Sequence, residues 1–266
     1  MKLDFGTEYM IAEIDDGVGW VTFNNPARRN AVNWEMWHAI PRIFQTMSER
    51  DDVRCVVMKG AGDKSFVAGA DISEFKERRT GEEQVKAYNA ATAKAYSTIE
   101  NFDKPMIAML RGFCIGGGLA VALSADIRIG SDDTVYAIPA ARLGLGYGYP
   151  GVKRLTHLVG PAYAKEIFFT ARKFTGEEAL RMGLINRLTS VEDLEPTTRE
   201  YAAMIAENAP LTIATANMAV AAALADESER DVAAVDAMVD KCFASEDYKE
   251  GQTAFMEKRK PAFKGR

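Results

Sequence analysis

The 266-residue chain has little of what would tie it to a metal, a nucleic acid or a membrane. Its two histidines, His38 and His157, fall on predicted helices with no cysteine or carboxylate at ligand spacing. That argues against a metal centre and against a Ser-His-Asp arrangement. Three cysteines, Cys55, Cys114 and Cys242, stand far apart, without CxxC spacing and in apolar surroundings. Each reads as a small hydrophobe in a reducing compartment. Positive charge is not in excess: the formal net charge is −5, which excludes a broad basic face for nucleic acid. No apolar run approaches a membrane span, and MKLDFGTEYM has no signal-like core, so the expected location is the cytoplasm. No phosphate loop of the form GxxxxGK[ST] occurs.

What the chain does have is glycine in pointed places. Gly116-Gly117-Gly118 runs directly into Leu119-Ala120-Val121-Ala122-Leu123, a helix-forming stretch. Glycines let a backbone approach another group closely, and the first turn of a helix offers unpaired N–H groups. The triplet lacks the GxGxxG spacing of a dinucleotide fold. A second glycine turn lies in Phe66-Val67-Ala68-Gly69-Ala70-Asp71-Ile72. Two N–H groups converging from such turns would form an oxyanion hole, each donor lowering a barrier by about 3–4 kcal/mol. Either turn alone is equally a tight connection or a close helix contact.

Patterning sets these turns in an α/β chain. Residues 10–24 read as a hairpin about Asp16-Gly17. Asn33 is placed to cap a helix with apolar face Trp37, Ile40, Phe44 and Met47, in which Pro41 is expected to make a kink. Residues 54–59, 106–110 and 126–129 read as buried strands, and 118–125 as a helix. A short acidic helix is expected after the first glycine turn. Residues 82–102 then form a long amphipathic helix with Val85, Tyr88, Thr92, Ala95, Ile99 and Phe102 on one face. Such alternation implies a largely parallel sheet with right-handed crossovers. From Gly151 the pattern is helical, with Pro161 and Pro210 at starts and Gly160 and Gly183 at stops. The expected division is an α/β core over 1–195 and a helical part over 196–266.

Five blocks, KSFVAGADISEF, RGFCIGGGLAVALSADIRI, YAIPAARLGLGYGYPGVKRL, FTARKFTGEEALRMGLINRL and SEDYKEGQTAFMEKRKPAF, occur in order. Together they resemble the crotonase superfamily, the enoyl-CoA hydratase/isomerase family. The resemblance implies an enzyme built as a spiral of ββα units with a helical C-terminal trimerisation region, assembled as a homotrimer or a dimer of trimers. It implies an acyl-CoA thioester substrate, with coenzyme A as part of the substrate and no separate cofactor. By motif position the two oxyanion donors are Ala70 and Gly117, with Ala68, Asp71, Ile72 and Gly116 around them. In the family, basic and aromatic residues near the C-terminus meet the CoA phosphates and adenine; Lys258, Lys260 and Phe263 stand there.

Hydratases of the family also carry two glutamates. Their places hold Ala120 and Ala140, while Asp126, Gly144, Gly151 and Arg154-Leu155 stay in register. The resemblance therefore leaves open whether the chain hydrates, isomerises, decarboxylates or hydrolyses its thioester, or only binds it. Tyr147, in the place of a functional tyrosine of the family's decarboxylases, is the expected proton-transfer group. Arg142 is a candidate partner for a substrate carboxylate. Tyr136, Tyr149 and Glu74 are further candidates.

Overall fold

The computed structural model describes residues 1–74 and 80–266. The chain opens with β1 (Lys2–Leu3), β2 (Met10–Asp15) and β3 (Val18–Phe23), followed by helix α1 (Trp34–Glu49). Then come β4 (Cys55–Gly60), β5 (Ser65–Val67), α2 (Glu82–Glu100), β6 (Met106–Leu110), β7 (Phe113–Ile115) and α3 (Gly117–Leu123). After these follow β8 (Ile127–Ser131), β9 (Val135–Ala137), α4 (Tyr149–Thr170), α5 (Gly176–Arg181), β10 (Arg187–Thr189) and α6 (Val191–Glu207). Three further helices finish it: α7 (Pro210–Leu224), α8 (Val232–Ala244) and α9 (Glu246–Glu257).

The strands form two sheets, which the chain visits in turn. The larger has the order β1-β2-β3-β4-β6-β8-β10, antiparallel only at β1-β2-β3; the smaller, β5-β7-β9, is all parallel. Each of β4, β6 and β8 passes to a short strand of the small sheet and then to a helix, which gives repeated ββα turns. Along β4, Val56 and Met58 enter one core with α1, while Cys55 and Val57 face a second core with Leu194 and Ala202 of α6. A strand buried on both faces needs a continuous apolar run, as 54–59 supplies.

Local signals hold at the edges. Asp16 and Gly17 both have positive φ, as a two-residue hairpin requires. The Asn33 side chain accepts the Met36 N–H at 2.9 Å and starts α1. Pro41, expected to kink this helix, lies within one continuous element. Trp37, Ile40, Phe44 and Met47 are buried on both sides of it, and their packing outweighs the cost of about 3 kcal/mol that an interior proline carries through its missing N–H and ring clash. Gly160, at φ 74 and ψ 166, does interrupt α4, and Pro161 restarts it. The expected acidic helix begins as one 3-10 turn, Ile72–Glu74, and the rest of it lies outside the described residues.

The C-terminal segment is tied down. The buried Asp247 carboxylate accepts the N–H groups of Lys264 and Gly265, each at 2.7 Å. Helices α7 and α8 bury none of their residues and, with α9, line an apolar groove of about 770 Å³.

Candidate functional site

Because β5, β7 and β9 are parallel, their C-terminal ends open on one side. The segments that leave them are 68–71, 116–118 and 138–140. Ligands of open parallel sheets bind outside such ends.

The first segment is held by a bridge to Val32. Val32 N donates to Gly69 O at 2.8 Å, and Asp71 N donates to Val32 O at 2.9 Å. These bonds use the groups on either side of Ala70. The Ala70 N–H is left with no acceptor among the described residues. Gly69 has φ +101, open only to glycine at low cost. The buried Asp71 carboxylate accepts Ser73 N at 2.9 Å and Ser73 Oγ at 2.6 Å, so it builds the turn. Ile72 beside it is 75 % exposed. Glu74 accepts the Trp34 N–H at 2.8 Å, an anchor to the start of α1.

The second segment explains all three glycines. Gly116 has φ 56 and ψ −118, and its N–H donates to Ala137 O at 2.8 Å. Gly118 packs so closely on β5 that a methyl group there would lie 1.9 Å from the Val67 carbonyl oxygen. Gly117 opens α3, and its N–H has no acceptor among the described residues. A methyl on Gly117 would lie 3.8 Å from Ala70 N, and one on Gly69 3.7 Å from Gly117 N. The two turns thus pack against each other, with both of these N–H groups beside the contact. Since α3 has only seven residues, it offers local N–H groups rather than a long dipole.

The third segment closes the site. The Pro139 ring reaches 4.0 Å from where a Gly116 side chain would begin, and Ala140 is buried behind it. Ala120 stands half-buried on α3, one turn past Gly117. Beyond the 3-10 turn Pro139–Leu143, Tyr147 packs edge-to-face on Phe168, centroids 5.2 Å apart, and burial pushes its phenol above the ordinary tyrosine range. Arg142 is exposed and has no ion pair among the described residues.

One group went unread in the sequence. Tyr96 of α2 donates its hydroxyl hydrogen to Gly117 O at 3.2 Å. Burial, and then the nearby Tyr147, hold its phenol well above the usual range. Thr92 to Tyr96 continues an i, i+4 spacing from Tyr88, the one signal that could have singled it out. Ala70, Gly117 and Tyr96 therefore stand together.

Other candidates stand elsewhere. Tyr136 is wholly buried against Gly130, and Tyr149 is 72 % exposed. Lys258 caps α9 in the left-handed conformation, and Lys260 pairs with Glu207 at 3.1 Å. The Phe263 ring packs on Gly251 and its carbonyl accepts from Arg54 at 2.9 Å. These three belong to the C-terminal layer, away from the strand ends. Among the described residues no three histidine, cysteine or acidic side chains gather as for a metal.

A spiral of ββα turns with a helical C-terminal layer is the crotonase fold. A solved enoyl-CoA hydratase/carnithine racemase from Magnetospirillum magneticum matches it with a TM-score of 0.90 and 32% identity, over 98% of this chain and 97% of that one. The family model for enoyl-CoA hydratase/isomerase matches residues 13–266. The chain is 37% identical to a short-chain-enoyl-CoA hydratase of Clostridium acetobutylicum over 97% of its length and 98% of the relative's. It is 33% identical to a crotonyl-CoA hydratase of Syntrophomonas wolfei, covering 96% and 98%. The chain belongs to the enoyl-CoA hydratase/isomerase family, and it is an enzyme of acyl-CoA chemistry.

Proposed function

We propose that the Ala70 and Gly117 N–H groups polarise the carbonyl of a short-chain acyl-CoA thioester, and that the reaction runs through an enolate without a glutamate pair. The observation that carries this reading is that two glycine turns pack against each other with the Ala70 and Gly117 N–H groups, both without an acceptor among the described residues, beside the contact. Donors fixed before the substrate arrives stabilise developing charge without reorganisation. The names of the two hydratase relatives support a short acyl group. With alanine at 120 and 140, neither position offers a carboxylate to activate water. The Tyr147 phenol, pushed up by burial, stays protonated near neutral pH, so its role is to give a proton to the enolate rather than to take one. Assembly as a trimer or a dimer of trimers belongs to the same reading, supported by the apolar groove of α7 to α9.

A second reading, decarboxylation, is favoured by the unpaired Arg142. Loss of CO2 from a malonyl-type thioester leaves its electron pair in the enolate, so no base is required. Arg142 would hold the departing carboxylate and Tyr147 would protonate the α-carbon. Assays with crotonyl-CoA and malonyl-type CoA thioesters, with calorimetry on the same panel, test both readings. Slow hydration with turnover of a malonyl-type thioester supports decarboxylation. Robust hydration of crotonyl-CoA would overturn the account of Ala120 and Ala140. Tight binding without product from any thioester of the panel would overturn both readings and leave the alternative of an acyl-CoA-binding role.

A further inference from the structure

Three consecutive glycines make residues 116–118 a backbone with little stiffness of its own. An oxyanion donor nevertheless has to hold its direction closely. Among the described residues, one side-chain hydrogen bond reaches this triplet, from Tyr96 Oη to the Gly117 carbonyl at 3.2 Å. A methyl group on Gly117 would come within 2.9 Å of that hydroxyl, so the missing side chain is what admits the phenol.

The phenol's own place is set by the core. Its ring lies against the Trp37 indole, centroids 5.4 Å apart. Trp37 in turn donates its Nε1–H to Tyr88 Oη at 3.1 Å, and Trp37 and Tyr88 are both buried. Helices α1 and α2 thus deliver the hydroxyl to one point.

We propose that Tyr96 is a positioning residue for the Gly117 donor: its hydroxyl, bonded to the Gly117 carbonyl, fixes the turn whose N–H binds the thioester oxygen. The inference rests on the oxyanion reading above and adds to it the part that keeps one donor aimed. Tyr96 acts through Gly117 and needs no contact with the reacting atoms. Removing the hydroxyl should weaken polarisation of the carbonyl while leaving the CoA contacts intact.

The test is Tyr96→Phe, read by the infrared stretch of 13C-labelled butyryl-CoA bound to the full chain, with calorimetry and thermal melting alongside. The wild-type protein is expected to lower the carbonyl stretch relative to free thioester. The variant is expected to lose at least half of that lowering, with its dissociation constant and melting temperature little changed. A folded variant that lowers the stretch as the wild type does would overturn the proposal and leave the oxyanion reading standing. No lowering in the wild type would overturn both. Should Tyr96→Phe not fold, Gly117→Ala displaces the same hydroxyl with the phenol retained, and an unchanged stretch there would equally overturn the role given to Tyr96.

Discussion

The two sheets share one chain path and use it in opposite ways. In the large sheet, side chains do the packing: Val56, Met58, Ala108 and Ile107 are fully buried, alternating between two cores on its two faces. In the small sheet the strands are three residues long, and what matters is the backbone just past their ends. There, Gly69, Gly116, Gly117 and Gly118 let main chains touch, and the Ala70 and Gly117 N–H groups have no acceptor among the described residues. One sheet is a scaffold in which shape can be traded against volume. The other has its dimensions set by carbonyl oxygens, which cannot yield.

That contrast can be broken most sharply at Gly118. A methyl group 1.9 Å from the Val67 carbonyl oxygen has no flexible neighbour to displace. Gly118→Ala is expected to cost more than about 3 kcal/mol in urea unfolding and to abolish thioester binding. A variant that is stable and binds would mean that β5 and α3 are free to separate. Next in size is Tyr147→Phe, which keeps the packing on Phe168 but removes the O–H. Turnover of the best thioester substrate should fall about 10²-fold with binding retained, and an unchanged rate would assign the proton to water.

A smaller change belongs to the large sheet. Ile107→Val, at a fully buried position of β6, should cost about 1 kcal/mol and leave the thioester dissociation constant of the folded protein unchanged. A shift in affinity would show that the scaffold and the strand ends are mechanically linked. Alkaline pH probes both sheets at once. Burial pushes the Cys55 thiol in β4 to about 12, and it raises Cys114 in β7, Tyr96 and Tyr147 as well. Groups raised in the folded state keep their full contribution below their unfolded pKa and lose it as pH rises through the folded value. The unfolding midpoint should therefore hold level from pH 7 to about 8.5, then decline as unfolded thiols ionise, and more steeply past about 10 as unfolded phenols do. A flat profile to pH 10.5 would contradict the burial of these groups.

The same contrast explains which parts were legible in the sequence. Runs such as 54–59 and 106–110 announce buried strands by composition, and Asp16-Gly17 and Asn33 mark a hairpin and a cap. Strands β5, β7 and β9 are too short for any periodicity to register; β5 and β7 are marked only by the glycine turns that follow them, and β9 only by the block YAIPAARLGLGYGYPGVKRL. The places of Gly69 and Gly117 were readable because backbone function leaves a trace in glycine. That of Tyr96 was not, because its meaning depends on a carbonyl 21 residues away. The anchoring of the Glu74 candidate was equally illegible, because it depends on the Trp34 N–H, 40 residues away. The ion pair of Lys260 with Glu207 likewise spans 53 residues, beyond the reach of local pattern.

The central claim is that two backbone N–H groups, brought together by the ends of β5 and β7, receive a thioester oxygen. The most direct test is the amide resonances of Ala70 and Gly117 in 15N-labelled protein, titrated with butyryl-CoA and with S-butyl-CoA, a thioether that lacks the carbonyl. The account predicts that both amide protons move downfield together with the thioester and remain in place with the thioether. Equal responses to the two ligands, or a shift of one amide alone, would contradict it.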